Sequence, residues 1–205
     1  MQKKKIFKDY LEPLVLAVLI ALFVRTFVIQ AFKIPSGSME PTLWVGDYLL
    51  VNKFIYGIKI PFTQTKVFQF VNPRRGDIIV FPFPRDPSKD FIKRVIGIGG
   101  EKVEIIQGEI YINGKLIPNL WGHFEKIGPA DFLQRIENFG PVVVPEDSLF
   151  VMGDNRNNSQ DSRFWGFLRV NTVVGKAFIL YFSWNLNAEN LWNTIRWSRV
   201  GRLIH

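Results

Sequence analysis

Three short segments of the chain carry side chains able to make or move covalent bonds. The first, Pro35-Ser36-Gly37-Ser38-Met39-Glu40-Pro41-Thr42-Leu43, sets a Ser-Gly-Ser between two prolines. Proline restricts the backbone and glycine lets it approach a ligand closely, so a hydroxyl here can be held at a fixed aim beside an amide that donates to an oxyanion. Ser-Gly-Ser is also a common loop tripeptide, and alone it does not separate a nucleophile from an ordinary turn. The second segment, Phe91-Ile92-Lys93-Arg94-Val95-Ile96-Gly97, places two cations inside an apolar, strand-like run. Alternation gives Lys93 the face of Phe91 and Val95, where burial penalises an ammonium and lowers its pKa. The same argument serves Arg94 between Ile92 and Ile96, so periodicity leaves open which cation is the buried one. An ordinary lysine is neutral only about one part in a thousand near pH 7.4, and a functional site is the usual reason to change that. The third segment, residues 153–166, reads GDNRNNSQDSRFWG and is dense in hydrogen-bonding side chains. Asx turns and an Asp161–Arg163 ion pair account for much of it, and a calcium-like loop is an equal alternative on these residues alone.

What is missing narrows the chemistry. The 205 residues contain no cysteine, which excludes thiolate nucleophiles, disulfide frameworks and cysteine-ligated zinc. Of the two histidines, His123 lies in a loop-like stretch beside Gly122 and His205 is the last residue, so neither a histidine triad nor a multi-histidine metal site is expected. Any hydrolysis must therefore use another base. A net charge of +8 raises nucleic acid and anionic membranes as partners. Away from the N-terminus, however, Lys and Arg are scattered among acids with no dense basic stripe, and nucleic acid is set aside.

The elements that must position these segments follow from periodicity. Short apolar runs at Tyr48–Val51, Asp77–Phe81, Phe91–Ile96, Lys102–Ile106, Glu109–Ile112, Ser148–Val151 and Val173–Phe182, punctuated by Gly and Pro, predict strands. Asn113-Gly114 between two of them predicts a type I′ hairpin. The expected fold is mainly β, an antiparallel catalytic domain over residues 33–205 with a small inserted β cap over 108–144. The closing stretch Leu191–Leu203 is expected to be a short helix, for which packing on that domain is favoured over contact with a membrane interface.

Ahead of it, Leu14–Val24 is uninterrupted and apolar, and with Arg25 admitted the run extends from 11 to 32. About 20 helical residues cover a hydrocarbon core of roughly 30 Å, so 11–32 is expected to be a single transmembrane anchor. Lys3, Lys4, Lys5 and Lys8 make residues 1–10 a basic tail, which the positive-inside rule keeps in the cytoplasm with the rest outside. Arg25 is the objection to this span; it sits towards the outer half, and its stem can snorkel to the interface. The run exceeds a cleavable signal's h-region, and no small-x-small site follows it.

In order and spacing the three segments, with Gly46-Asp47-Tyr48 and Arg75-Gly76-Asp77-Ile78 between them, resemble the boxes of the bacterial type I signal peptidases, and the likeness spans the chain from about residue 8. The resemblance implies Ser38 as nucleophile, Lys93 as general base, Ser159 as a hydroxyl orienting the lysine, and Ser36 as an oxyanion donor. It also implies Asp161 and Arg163 as braces, and an apolar pocket for small side chains from Ile34, Pro35, Met39, Leu43, Leu49, Val80 and Ile92. Its substrates would be membrane-bound preproteins at the bilayer of a bacterial inner (cytoplasmic) membrane, with no metal and no cofactor. Asn157 stands where an aspartate is frequent in that family, and the cap is shorter than in its largest members. Two alternatives are a self-cleaving Ser/Lys repressor, which lacks support without a DNA-binding domain, and a non-enzymatic, membrane-tethered β domain that binds peptides in a secretion complex.

Overall fold

The computed structural model describes residues 10–59, 66–67, 71–118, 121–124, 137–185, 188 and 194–205. The basic tail lies outside the described residues except Tyr10, as do much of the expected cap and part of the closing stretch.

Helix α1 (Glu12–Phe27) opens on Pro13 in its first turn and buries none of its side chains. Strand β1 (Ile29–Lys33) follows at once and pairs with β2 (Asp47–Asn52), from Ile29 opposite Asn52 to Lys33 opposite Tyr48. The expected helical span to residue 32 therefore ends at Phe27, because the sheet claims Ile29–Lys33. Among the described residues no helix is long and apolar enough to cross a membrane. Lys53, just past β2, donates to the Thr26 carbonyl at 2.6 Å and caps the helix end.

The larger unit is an antiparallel sheet. Strands β5 (Ile78–Phe83), β6 (Asp86–Ile98), β11 (Ser148–Met152), β12 (Leu168–Arg169) and β13 (Gly175–Ser183) join β1 and β2 in the order β1-β2-β13-β5-β6-β11-β12. β3 (Ile58–Lys59) and β4 (Lys66–Val67) form a separate pair. A second sheet, β10-β7-β8-β9, is built from β7 (Lys102–Ile106), β8 (Glu109–Ile112), β9 (Lys115–Ile117) and β10 (Phe139–Val143). The stretch expected to form the cap, 108–144, supplies β8, β9 and β10 to this sheet, and β7 pairs with β8 on one side and β10 on the other. Asn113 and Gly114 both take positive φ, 53° and 78°, the signature of the I′ turn between β8 and β9. Of the closing stretch expected to be a helix, the described residues 194–203 contain one 3-10 turn, Trp197–Arg199.

Three apolar clusters fill the two sheets. β6 is the hinge of the arrangement: Val95 packs in the core between the large sheet and the segment Leu168–Val173, while Ile96 packs with Val103, Ile105 and Phe150 under the small sheet. Its middle carries Lys93 opposite Ile79 and Arg94 opposite Ile78, so both cations enter a core that is otherwise apolar.

Candidate active site

Beyond β1 the chain enters a 3-10 turn, Gly37–Met39, that presents Ser38. The turn is fixed from two sides. Leu43 N–H donates to the Met39 carbonyl at 2.8 Å, and Asn155 N–H donates to the Ser38 carbonyl at 3.1 Å. Ser38 is buried, whereas Ser36 and Pro35 are exposed on the approach.

Lys93 projects from β6 onto this serine. Its Nζ donates to Ser38 Oγ at 2.8 Å and to the Ile92 carbonyl at 3.0 Å, and lies 5.3 Å from the centre of the Phe91 ring. With 4% of its surface exposed, the ammonium has lost its water, and burial pulls its pKa down to about 8. The charges of Asp161 and Asp154 oppose that fall, and Arg163 assists it. An amine that is neutral in an appreciable fraction near neutral pH, in hydrogen-bond contact with a hydroxyl, can take that hydroxyl's proton.

Arg94, one residue on, is fully buried but spoken for. Its Nε and Nη2 donate to the two carboxylate oxygens of Asp154 at 2.8 and 2.7 Å, and Nη1 donates to the carbonyls of Gly76 and His205. Periodicity left the choice between the two cations open because both are buried. Their partners separate them: the arginine faces a carboxylate, the lysine a hydroxyl.

The loop after β11 closes the site. Asp161 caps the short helix α2 (Ser162–Trp165) by accepting from Arg163 N–H, and its carboxylate takes Nε and Nη2 of the same arginine at 2.9 and 2.8 Å. Gly153 N–H donates to both Asp161 Oδ2 and Ser159 Oγ. Gly153 is obligatory for a spatial reason, since a Cβ there would stand 2.4 Å from both the Ser38 carbonyl oxygen and Ser159 Oγ. Ser159 is thus brought to the backbone of the serine loop. Its hydroxyl bonds to Gly153 N–H, whereas the two hydrogen bonds of Lys93 run to Ser38 and Ile92. Arg156 is buried against the Phe124 ring with Nε on the Gly153 carbonyl, and desolvation lowers its pKa to about 10.

Ile34, Met39, Leu43, Leu49 and Val80 lie in one apolar cluster, with Ile92 packed against it. Pro35 is exposed and outside that cluster. Met39, Leu43 and Leu49 have no exposed surface, so they form the floor of any pocket rather than its contact surface.

Two participants were not apparent from the sequence. Thr42 donates its hydroxyl to Asp154 Oδ2 at 2.6 Å, tying the serine loop to the Arg94–Asp154 pair. Asp154 was visible only as one polar residue in a polar loop. Spacing gives no signal for a contact across 112 positions. Among the described residues no group of His, Asp and Glu could hold a metal ion.

Residues 7–184 match the family described as Signal peptidase, peptidase S26. A signal peptidase I of Pseudomonas aeruginosa is 38% identical over 236 residues, covering 100% of this chain and 82% of that protein. One from Pseudomonas fluorescens is 37% identical, covering 98% and 81%. A probable signal peptidase I-2 of Synechocystis is 39% identical over 177 residues, covering 83% and 71%.

Proposed function

Since the chain belongs to the signal peptidase family, peptidase S26, and is therefore a peptidase, we propose that it removes N-terminal signal peptides from exported preproteins with a Ser38–Lys93 dyad. The observation that carries the dyad is the buried 2.8 Å contact between Lys93 Nζ and Ser38 Oγ. The non-enzymatic alternative gives way to the family membership.

In the proposed mechanism neutral Lys93 accepts the Ser38 hydroxyl proton as Oγ bonds to the scissile carbonyl carbon. The oxyanion is met by the Ser38 N–H and the Ser36 hydroxyl. Lys93 returns the proton to the departing amine as the C–N bond breaks, leaving an acyl-enzyme. Water, giving its proton to Lys93, then releases the new carboxylate and restores Ser38. Asp161, Arg163 and Ser159 hold the loop that supports the serine backbone, and the Arg94–Asp154–Thr42 chain holds it from the other side. The cluster of Ile34, Met39, Leu43, Val80 and Ile92 bounds the space beside Ser38. Small residues are therefore selected before the cut, and at the third position before it, where an extended substrate again faces the enzyme.

A bilayer is the setting of this reading. The exposed apolar side chains of α1, among them Leu14, Leu16, Leu19 and Phe23, have no protein cover and match acyl chains. α1 is then the embedded element, with residues 1–10 cytoplasmic and the catalytic unit outside, at the bacterial inner membrane. Purified protein in detergent is given a preprotein series with Ala, Leu or Lys at each of the three positions before the cut. Ala at the first and third should be required, Leu slowing cleavage about 5- to 150-fold as overpacking of roughly 1 to 3 kcal/mol implies, with the second position indifferent. Equal rates with Leu at the first and third positions would overturn the pocket assignment. Cleavage retained by Ser38→Ala or Lys93→Arg would overturn the dyad, because a guanidinium does not deprotonate at working pH.

A further inference from the structure

The loop that fastens Ser38 has a second side, which none of the chemistry above uses. β11 ends at Met152, opposite Arg94, so residues 153–156 run on outside the large sheet. On one side they hold the serine loop at two points, through the Asn155 N–H on the Ser38 carbonyl and the Asp154 carboxylate on the Thr42 hydroxyl. On the other side lie residues 121–124, from the stretch inserted between β9 and β10. Main chain meets main chain there. His123 N–H donates to the Asp154 carbonyl at 3.0 Å and Arg156 N–H donates to the His123 carbonyl at 3.1 Å, forming a parallel bridge between His123 and Asn155. The neighbours of His123 close on two arginines. The Trp121 ring centre lies 4.9 Å from Cζ of Arg94, the guanidinium that grips Asp154. Gly122 lies against Arg156, where a Cβ would stand 2.2 Å from Cζ. Among the described residues Nη1 and Nη2 of Arg156 have no hydrogen-bond partner, so packing against Gly122 and the Phe124 ring fixes that end of the side chain.

We propose that Trp121 is a positioning residue for Ser38 that acts through Asp154, and that residues 121–123 are the outer layer of a ladder running His123, Asn155, Ser38. In an extended chain the main-chain groups of successive residues point to opposite sides. Asp154 and Arg156 therefore present a carbonyl and an amide to His123 while the Asn155 amide faces Ser38. The middle layer is hydrogen-bonded on both sides although it belongs to no strand of the large sheet. Trp121 shields the Arg94–Asp154 pair, and the same carboxylate holds the Thr42 hydroxyl at 2.6 Å. Without the ring, water competes for Asp154 and the tether to the serine loop slackens. A shift of about 1 Å in such a support can lower a rate up to about a hundredfold. The kinetic consequence rests on the Ser38–Lys93 reading, whereas the ladder stands without it.

Preprotein cleavage by the full chain in detergent is compared for wild type, Trp121→Ala and Trp121→Phe, each also in a Thr42→Val background. Trp121→Ala should lower kcat about tenfold with KM within about twofold. Trp121→Phe, which keeps a ring on Arg94, should recover most of that loss. With Thr42→Val the Asp154 carboxylate no longer reaches the serine loop, so there Trp121→Ala should cost less than about threefold, because two changes along one linkage are not additive. Amide exchange at Asn155 is read in the chain carrying Ser38→Ala, where no turnover is needed, and adding Trp121→Ala should speed it about tenfold. Where Trp121→Ala does not fold, Trp121→Leu, which keeps apolar bulk without the planar ring, takes its place. An unchanged kcat in Trp121→Ala, a Trp121→Phe equally slow, or losses that simply multiply with Thr42→Val would overturn the positioning role. Asn155 exchange indifferent to Trp121→Ala would overturn the ladder, whatever the kinetics.

Discussion

Lys93 and Arg94 are neighbours on one strand, and the fold meets their charges in opposite ways. Holding the Lys93 pKa near 8 instead of its ordinary 10.5 opposes folding by about 3 kcal/mol while the amine would otherwise be charged. Because the folded pKa is the lower one, the folded protein binds fewer protons than the unfolded chain between about pH 8 and 10.5. Stability contributed at this site therefore rises with pH across that window, and the full penalty stands below pH 8. Lys93→Met should abolish cleavage yet leave the unfolding temperature at pH 7 equal or higher, and the gap from wild type should shrink toward pH 10.5. The ascending limb of kcat/KM should have its midpoint near pH 8. Arg94→Met should behave otherwise, leaving the Asp154 carboxylate buried and unpaired at a cost of about 3–5 kcal/mol. Calorimetric scans of both variants at pH 7 and 10 decide this, and equal destabilisation by the two substitutions would refute the desolvation account of Lys93.

Elements differ in how they depend on glycine. Gly114 sits in the β8–β9 turn with φ 78° and open space around a would-be Cβ, so Gly114→Ala costs only backbone strain, about 1–2 kcal/mol. Gly153 has an ordinary backbone, but a Cβ there would collide with the Ser38 carbonyl and Ser159 Oγ. Gly114→Ala should lower the unfolding temperature by a few degrees with kcat unchanged. Gly153→Ala should reduce kcat at least about a hundredfold, because the serine loop and the 153–166 loop must part. Kinetics and thermal scans on the pair check both, and unimpaired turnover in Gly153→Ala would mean that this contact does not position Ser38. The same contrast explains what the sequence made legible. The I′ turn, all seven predicted strands and the Asp161–Arg163 pair rest on local patterns of a few residues. The pairing of β7 with β10, the end of α1 at Phe27 and the Thr42–Asp154 bond rest on partners far along the chain, and no window of sequence contains them.

For the molecule as a whole, the proposed orientation makes a simple claim about sides. Protease added to intact spheroplasts should digest the chain beyond residue 33, and protection of that region would reverse the topology. The three segments that sequence reading set beside one another do meet, yet they are held by different means: β pairing brings Lys93 into the sheet, a 3-10 turn offers Ser38, and a capped loop supplies Ser159 and Asp161. With no cysteine in the chain, thiolate chemistry is excluded by composition alone.

Asp154 joins Arg94 to Thr42 and lies 112 positions beyond that threonine. During translation the serine loop is therefore made long before the carboxylate that fastens it, and Gly153, Ser159 and Asp161 arrive only with that late segment. A nascent chain stalled before residue 150 would carry both members of the proposed dyad and still lack the clamp that sets their contact.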